Sequence, residues 1–298
     1  MRETSGNPGF WFRAHGLGND YLAIDEEAIG FDLTPPAVRL VCDRHHGIGS
    51  DGILVAVPSD IAPFGVRIYN PDGSEAEKSG NGLRIFAAFL LSCGRVGFRT
   101  PFEVETKGGV VSMVILDESP DGVLMIEAEM GTASFRSSAV GLSGPDREVD
   151  GELLELPGGD RIAINTVSMG NPHCVCFVDE IVPEEARRLG PAISTHPWFA
   201  NGTNVQFART TGPATVEAFI WERGAGETLA SGSSSCAVAA AAVRRGLVQE
   251  RTVDVVMEGG TLRVTIGENW EVLLRGPVET VGRVELTPGF RHRLEALS

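Results

Sequence analysis

The sequence predicts an α/β chain of the α+β kind, with two pseudo-symmetric domains, each of mostly antiparallel strands wrapped around a central helix. Three observations predict it. Short apolar runs broken by Gly, Pro and Asn recur along both halves of the 298 residues, which is the pattern of strands joined by tight turns. Two longer apolar runs, Ile85-Phe86-Ala87-Ala88-Phe89-Leu90-Leu91 and Ala237-Val238-Ala239-Ala240-Ala241-Ala242-Val243, each follow a small-residue turn. The halves also repeat: Gly18-Asn19 and Gly170-Asn171 stand 152 residues apart, as do Ser79-Gly80 and Ser231-Gly232, while Gly108-Gly109 and Gly259-Gly260 stand 151 apart. The expected domains are 1–128 with 280–298, and 129–279.

Residues 1–9 are polar and rich in Gly and Pro, and read as a loose tail. Phe10-Trp11-Phe12-Arg13-Ala14-His15, the turn through Gly16 and Gly18, and Tyr21-Leu22-Ala23-Ile24 read as strand, turn, strand. Thr34-Pro35-Pro36 predicts a short helix through Cys42. The turn Gly47–Gly52 leads into a strand at Ile53–Val57, and Val66-Arg67-Ile68-Tyr69 alternates as a half-buried strand. Ser79 and Ser231 are placed to cap the two central helices, and Gly94 and Gly246, each 15 residues further on, are placed to end them. Strand signals continue from Phe102 to about Met130, and the second half follows the same plan.

The net charge of −15 argues against nucleic acid or an anionic membrane surface, both of which call for a basic face. No apolar run reaches the roughly 20 residues of a membrane span, and no basic-plus-apolar leader opens the chain, so a cytoplasmic protein is expected. Five scattered cysteines do not form a disulfide framework. Cys174 and Cys176 are expected as buried thiols on opposite faces of a strand, unsuited to a shared metal. No nucleotide loop, pyridoxal-lysine motif or zinc spacing is present, so neither cofactor nor metal is expected.

A helix start preceded by Gly and small residues offers backbone N–H groups and a positive dipole end to an anion. Two such starts suggest one small anionic ligand held in a domain cleft; two capped core helices without a ligand is the plainer alternative. Asn19, Asn70, Asn81, Asn171, His173, Asn204, Glu222 and Arg223 gather in the turns around them. Amides can hold ammonium and carboxylate groups together, Arg223 can take a carboxylate with two hydrogen bonds, and Glu222 can pair an ammonium. The set describes a pocket for an amino-acid head group.

At these residues the chain resembles the diaminopimelate epimerase family, which inverts an α-carbon without pyridoxal phosphate. The resemblance runs from about Phe10 to Val284. It rests on His15-Gly16-Leu17-Gly18-Asn19-Asp20, on Arg44 through Gly52, on Asn70-Pro71-Asp72-Gly73-Ser74-Glu75, and on Gly80-Asn81-Gly82-Leu83-Arg84. In the second half it rests on Gly170-Asn171-Pro172-His173, Gly202-Thr203-Asn204-Val205 and Glu222 through Thr228. It implies that Asn70, Asn204, Glu222 and Arg223 grip the distal end of a small amino-acid substrate, with Asn19 and Asn171 lining the pocket. It further implies that Gly80-Asn81 and Gly232-Ser233 hold the reacting carboxylate, and that the chain forms a homodimer.

The sequence departs from the family at the chemistry. A cysteine stands in the family where this chain has Ser79 and Ser231. Inversion needs proton loss on one face and gain on the other, and a thiol with a pKa near 8.5 can serve in either form. A serine hydroxyl has no comparable access to its anion. Three explanations stay open: serines introduced to trap a complex, a paralogue that binds with little turnover, or a different proton transfer in which His173 and Glu222 assist the hydroxyls. Another racemase or isomerase reaction on the same scaffold is a further alternative.

Overall fold

The computed structural model describes residues 9–298, so the expected tail lies, Gly9 apart, outside the described residues. The chain divides into two compact units, one running up to Ala128 and including Pro277–Ser298, the other Glu129–Gly276.

The first unit contains β1 (Trp11–Gly16), β2 (Asn19–Asp25), α1 (Glu26–Ile29), α2 (Pro35–Cys42), β3 (Ile53–Val57), β4 (Phe64–Tyr69), β5 (Glu75–Ala76), α3 (Gly80–Ser92), β6 (Phe102–Thr106) and β7 (Gly109–Glu118). It closes with the first part of β8 (Val123–Thr132). The second contains β9 (Asp150–Glu155), β10 (Arg161–Ser168), β11 (Pro172–Phe177), α4 (Pro183–Ser194), β12 (Asn204–Gly212), β13 (Thr215–Glu222), β14 (Gly226–Thr228), α5 (Gly232–Arg244), β15 (Thr252–Met257) and β16 (Gly260–Ile266). The long β17 (Glu271–Val284) begins in the second unit and ends in the first, where α6 (Pro288–Glu295) follows.

In the first unit the end of β17 lies beside β1, and the order continues β2, β3, β4, β6, β7, β8; all neighbours are antiparallel except β2–β3 and β4–β6. In the second the order is β9, β10, β11, β12, β13, β15, β16, β17, antiparallel except β11–β12 and β13–β15. The two orders match position by position, so the sequence repeat is a repeat of topology.

Local signals explain the elements that carry the site. Thr34 caps α2, accepting from Ala37 N, with proline in the first helical turn as its fixed φ allows. Central helix α3 is buried from Gly80 through Leu90 and packs on β1, β2 and β7. Helix α5 is buried along most of its length and packs on β10, β11, β12, β13, β15 and β16. Both helices end where expected, with Gly94 and Gly246 left-handed at φ 68° and 64°. Alternation along β7 sends Val111, Met113 and Ile115 inward, and burying each such side chain contributes about 2 kcal/mol before entropic costs. None of the described helices is long and apolar enough to cross a membrane.

One expectation is corrected. Cys174 and Cys176 do not point to opposite faces of β11: residues two apart on a strand share a face, and both thiols lie in one core cluster with Leu154 and Phe207. Their burial holds as expected. It pushes the Cys174 thiol well above its usual range, and the neighbouring Cys176 adds to the effect.

Candidate active site

Each unit builds one polar cluster at the start of its central helix. In the first unit Gly18, at φ 89°, turns the chain into β2 and sets Asn19 at its first position. Asn19 Nδ2 donates to Asp51 Oδ2 at 2.8 Å, while Asn81 Nδ2 donates to the Asn19 side-chain and backbone oxygens at 2.6 and 2.9 Å. Arg84, 1% exposed, supports this pair from below, donating to Asn81 Oδ1 at 2.7 Å and to Gly80 O at 3.2 Å. Only glycine fits at position 16, where a Cβ would meet Asn81 Oδ1 at 2.1 Å.

Charge surrounds this cluster. Arg44 Nη2 donates to Asp20 Oδ1 and to Asp51 Oδ1, both at 2.7 Å, and Arg13 Nη2 donates to Asp20 Oδ2 at 2.8 Å. Burial raises the Asp20 pKa, but the two guanidiniums more than offset it and hold the carboxyl below its ordinary value.

Ser79 caps α3: its Oγ accepts from Gly82 N at 3.0 Å. The hydroxyls of Ser79 and Tyr21 lie 3.3 Å apart. Asn19, Ser79, Gly80 and Asn81 therefore share one corner. Asn70 sits in the next turn, between β4 and β5, where its Nδ2 donates to Ser74 Oγ at 2.9 Å.

The second unit has the same outline and different wiring. Gly170, at φ 90°, matches Gly18, and Asn171 follows it. His173 is fully buried on β11, and both its ring nitrogens are engaged: Nε2 with Asn171 Oδ1 at 2.9 Å and Nδ1 with Gln206 Nε2 at 3.1 Å. An amide nitrogen only donates, so Nδ1 accepts and the proton sits on Nε2. Gln206 Nε2 also donates to Ser234 Oγ at 3.0 Å, and Asn171 Nδ2 to Ser233 Oγ at 3.4 Å, which ties the imidazole to the first turn of α5. Burial, and secondarily the charge of Arg223, lowers the His173 pKa to about 3. The ring is neutral at physiological pH.

Asn204, at the start of β12, donates to Pro172 O at 3.0 Å and accepts from Arg223 N at 2.9 Å. Glu222 ends β13, opposite Gly226 of β14. The Arg223 guanidinium lies over the neighbouring loop, with Nη1 donating to Asn201 O at 2.9 Å. One local expectation fails here: Ser231 stands at the N-cap with extended φ and ψ of −144° and 125°, yet its side chain makes no capping bond.

Chemically, each cluster can receive an anion on helix N–H groups flanked by amides, with a serine hydroxyl at the edge. Among the participants that sequence reasoning did not single out are Arg13, Asp51 and Arg84 in the first unit, together with Tyr21, Gln206 and Ser234. Tyr21 was findable, since it stands 152 residues before His173 and so occupies the same place in the repeat. Gln206, two residues after Asn204 on β12, and Ser234, in the first turn of α5, had no signal apart from the partner they reach.

The sequence model for diaminopimelate epimerase matches residues 12–136 and 165–281. The chain belongs to this family. Diaminopimelate epimerase 2 of a Nostoc species is 44% identical over 278 residues, covering 93% of this chain and 95% of that one. Diaminopimelate epimerase of Pelotomaculum thermopropionicum is 40% identical over 271 residues, with coverage of 90% and 95%. The family is one of isomerases, so the chain is an enzyme of the epimerase and racemase class. Among solved structures, a hydroxyproline epimerase from Agrobacterium vitis has a TM-score of 0.66 at 16% identity, covering 95% and 94% of the two chains. A methylitaconate-delta-isomerase has a TM-score of 0.63 at 11% identity, covering 95% and 96%. These two likenesses concern the fold alone.

Proposed function

We propose that this chain epimerises LL-diaminopimelate to meso-diaminopimelate by two-base proton transfer at one α-carbon, without pyridoxal phosphate, as a cytoplasmic step toward lysine and cell-wall precursors. The observation that carries the reading is the duplicated helix start. Gly80-Asn81 and Gly232-Ser233 each offer first-turn N–H groups, one pair beside Asn19 and the other beside Asn171. An α-carboxylate on such donors delocalises the charge that forms when the α-proton leaves. Asn70, Asn204, Glu222 and Arg223 are the residue types that would grip a second amino-acid head.

Ser79 and Ser231 stand at the two proton-handling positions. His173 and Glu222 assist, His173 as a neutral group that orients Asn171 rather than as a base. A second reading, binding without turnover, is favoured by the serines themselves, because a hydroxyl lacks the acidity of the thiol it replaces.

The test is exchange of the α-proton of LL- and meso-diaminopimelate in heavy water, followed by NMR, on this chain and on the Ser79→Cys/Ser231→Cys variant. Exchange by the chain itself, with the LL and meso forms interconverting, establishes epimerisation. Exchange by the cysteine variant alone establishes binding without turnover, and exchange by neither removes diaminopimelate as the ligand.

A further inference from the structure

We infer that Tyr21 is the proton partner of Ser79, so that the pair handles the proton on one face of the substrate as a hydroxyl relay. The inference rests on the epimerase reading and extends it to a residue that reading does not use.

Tyr21 is 7% exposed and sits on β2 two residues after Asn19, facing the start of α3. Its hydroxyl is 3.3 Å from Ser79 Oγ, longer than an ideal O–H···O bond but within the range that substrate binding tightens. The ring is held in place from behind. At Gly52 a Cβ would come within 2.5 Å of Tyr21 Cε1 and 2.6 Å of Tyr69 O, so only glycine lets the ring lie here. Ser79 Oγ already accepts from Gly82 N at 3.0 Å, and a hydroxyl oxygen has two acceptor sites. One accepts the helix N–H, and the other can accept from the phenol, since either hydroxyl of the pair can donate.

This arrangement addresses the weakness of serine as an acid. To protonate the carbanion, the Ser79 O–H bond breaks as a new Cα–H bond forms with the carbanion's electron pair. The pair left on Ser79 Oγ takes the proton of Tyr21 as that O–H bond breaks. The charge ends on a phenolate, from a group with an ordinary pKa near 10, rather than on a bare alkoxide. Removal of the α-proton is the reverse: the phenolate takes the Ser79 proton while Ser79 Oγ takes the α-proton, and the Cα–H pair stays on carbon. A thiol at position 79 would need no such partner.

The matching position in the second unit is His173, which reaches the first turn of α5 through Asn171 to Ser233 and through Gln206 to Ser234. Its ring nitrogens are committed to the two amides, so the direct phenol-to-serine arrangement belongs to the Ser79 half.

The experiment is a double-mutant cycle: Tyr21→Phe made in the native chain and in the Ser79→Cys/Ser231→Cys variant, with kcat and KM for deuterium incorporation into diaminopimelate measured in all four proteins. The relay predicts that Tyr21→Phe lowers kcat about a hundredfold in the serine form with KM little moved. It predicts a loss at least tenfold smaller in the cysteine form. Equal losses in both forms make Tyr21 a packing residue and overturn the relay. If only the cysteine form exchanges the proton, Tyr21 does not make Ser79 competent; the relay falls and recognition of diaminopimelate stands. If neither form does, the substrate reading falls and takes the relay with it.

Discussion

At the start of α3 the bracing groups are ionised: Arg13, Arg44, Asp20 and Asp51 form a network that Asn19 joins through Asp51, and buried Arg84 holds Asn81 Oδ1 and Gly80 O. At the start of α5 the corresponding groups are neutral, namely Asn171, His173, Gln206, Ser233 and Ser234. The backbone plan is common to both, down to the left-handed glycines at φ 89° and 90°. A duplicated fold can therefore keep the geometry of a helix N-terminus while changing what stabilises it. The neutral side contains a buried imidazole that must stay unprotonated, and the ionic side contains carboxylates that must stay charged. The two halves should then differ in their response to truncation, to pH and to loss of the capping hydroxyl.

Truncation should give the largest difference. Arg84→Leu removes a buried cation that supports Asn81 and Gly80 O, and should cost about 3 kcal/mol in urea unfolding, as lost hydrogen bonds to a charged group do. Gln206→Leu in the other half should cost only about 1 kcal/mol. It unpairs His173 Nδ1 and Ser234 Oγ, but it also removes the Gln206 Oε1 atom, which is buried without a hydrogen-bond partner among the described residues. Equal losses would mean that the ionic network contributes no more than the neutral one.

The next difference is in pH. His173 binds a proton below about 6.5 when unfolded but only below about 3 when folded. Between those values the unfolded chain carries the extra proton, so stability rises with pH and falls on acidification, by about 2 kcal/mol from this group at pH 5. His173→Gln should flatten that slope between pH 7 and 5. The lowered Asp20 carboxyl acts in another window: its contribution is complete above the ordinary carboxylate pKa of about 3.9 and is lost as pH falls through its lowered value. Hydrogen exchange at pH 5 should accordingly show the α5 start loosening before the α3 start, and the reverse order would contradict the assignment.

These contrasts also mark how far the sequence could be read. Periodicity, Gly and Pro placement and the 152-residue repeat made the architecture legible, because each is a local constraint on backbone or on one face of an element. Asn19, Asn81, Asn171 and His173 were legible only as members of one list of turn residues. Their wiring was not, because Asp51, Gln206 and Ser234 join them through strand pairing and packing between distant residues. The assignment of Cys174 and Cys176 to opposite faces failed for a simpler reason, since spacing by two on a strand dictates one face. The symmetric expectation for the two caps failed because a serine before a helix fixes the backbone option but not the rotamer that uses it.

That last failure gives the smallest and most discriminating comparison. Ser79→Ala removes an acceptor 3.0 Å from Gly82 N and should cost about 1 kcal/mol. Ser231→Ala removes a hydroxyl that makes no capping bond, and should cost less than about 0.5 kcal/mol although the residue is only 6% exposed. Equal costs would show that Ser231 turns to cap α5 in solution and that the asymmetry is one of side-chain rotamer. Unequal costs would mean that helix capping does not account for the serine at position 231, and the reason for a hydroxyl there would have to be sought in what the site binds or transforms.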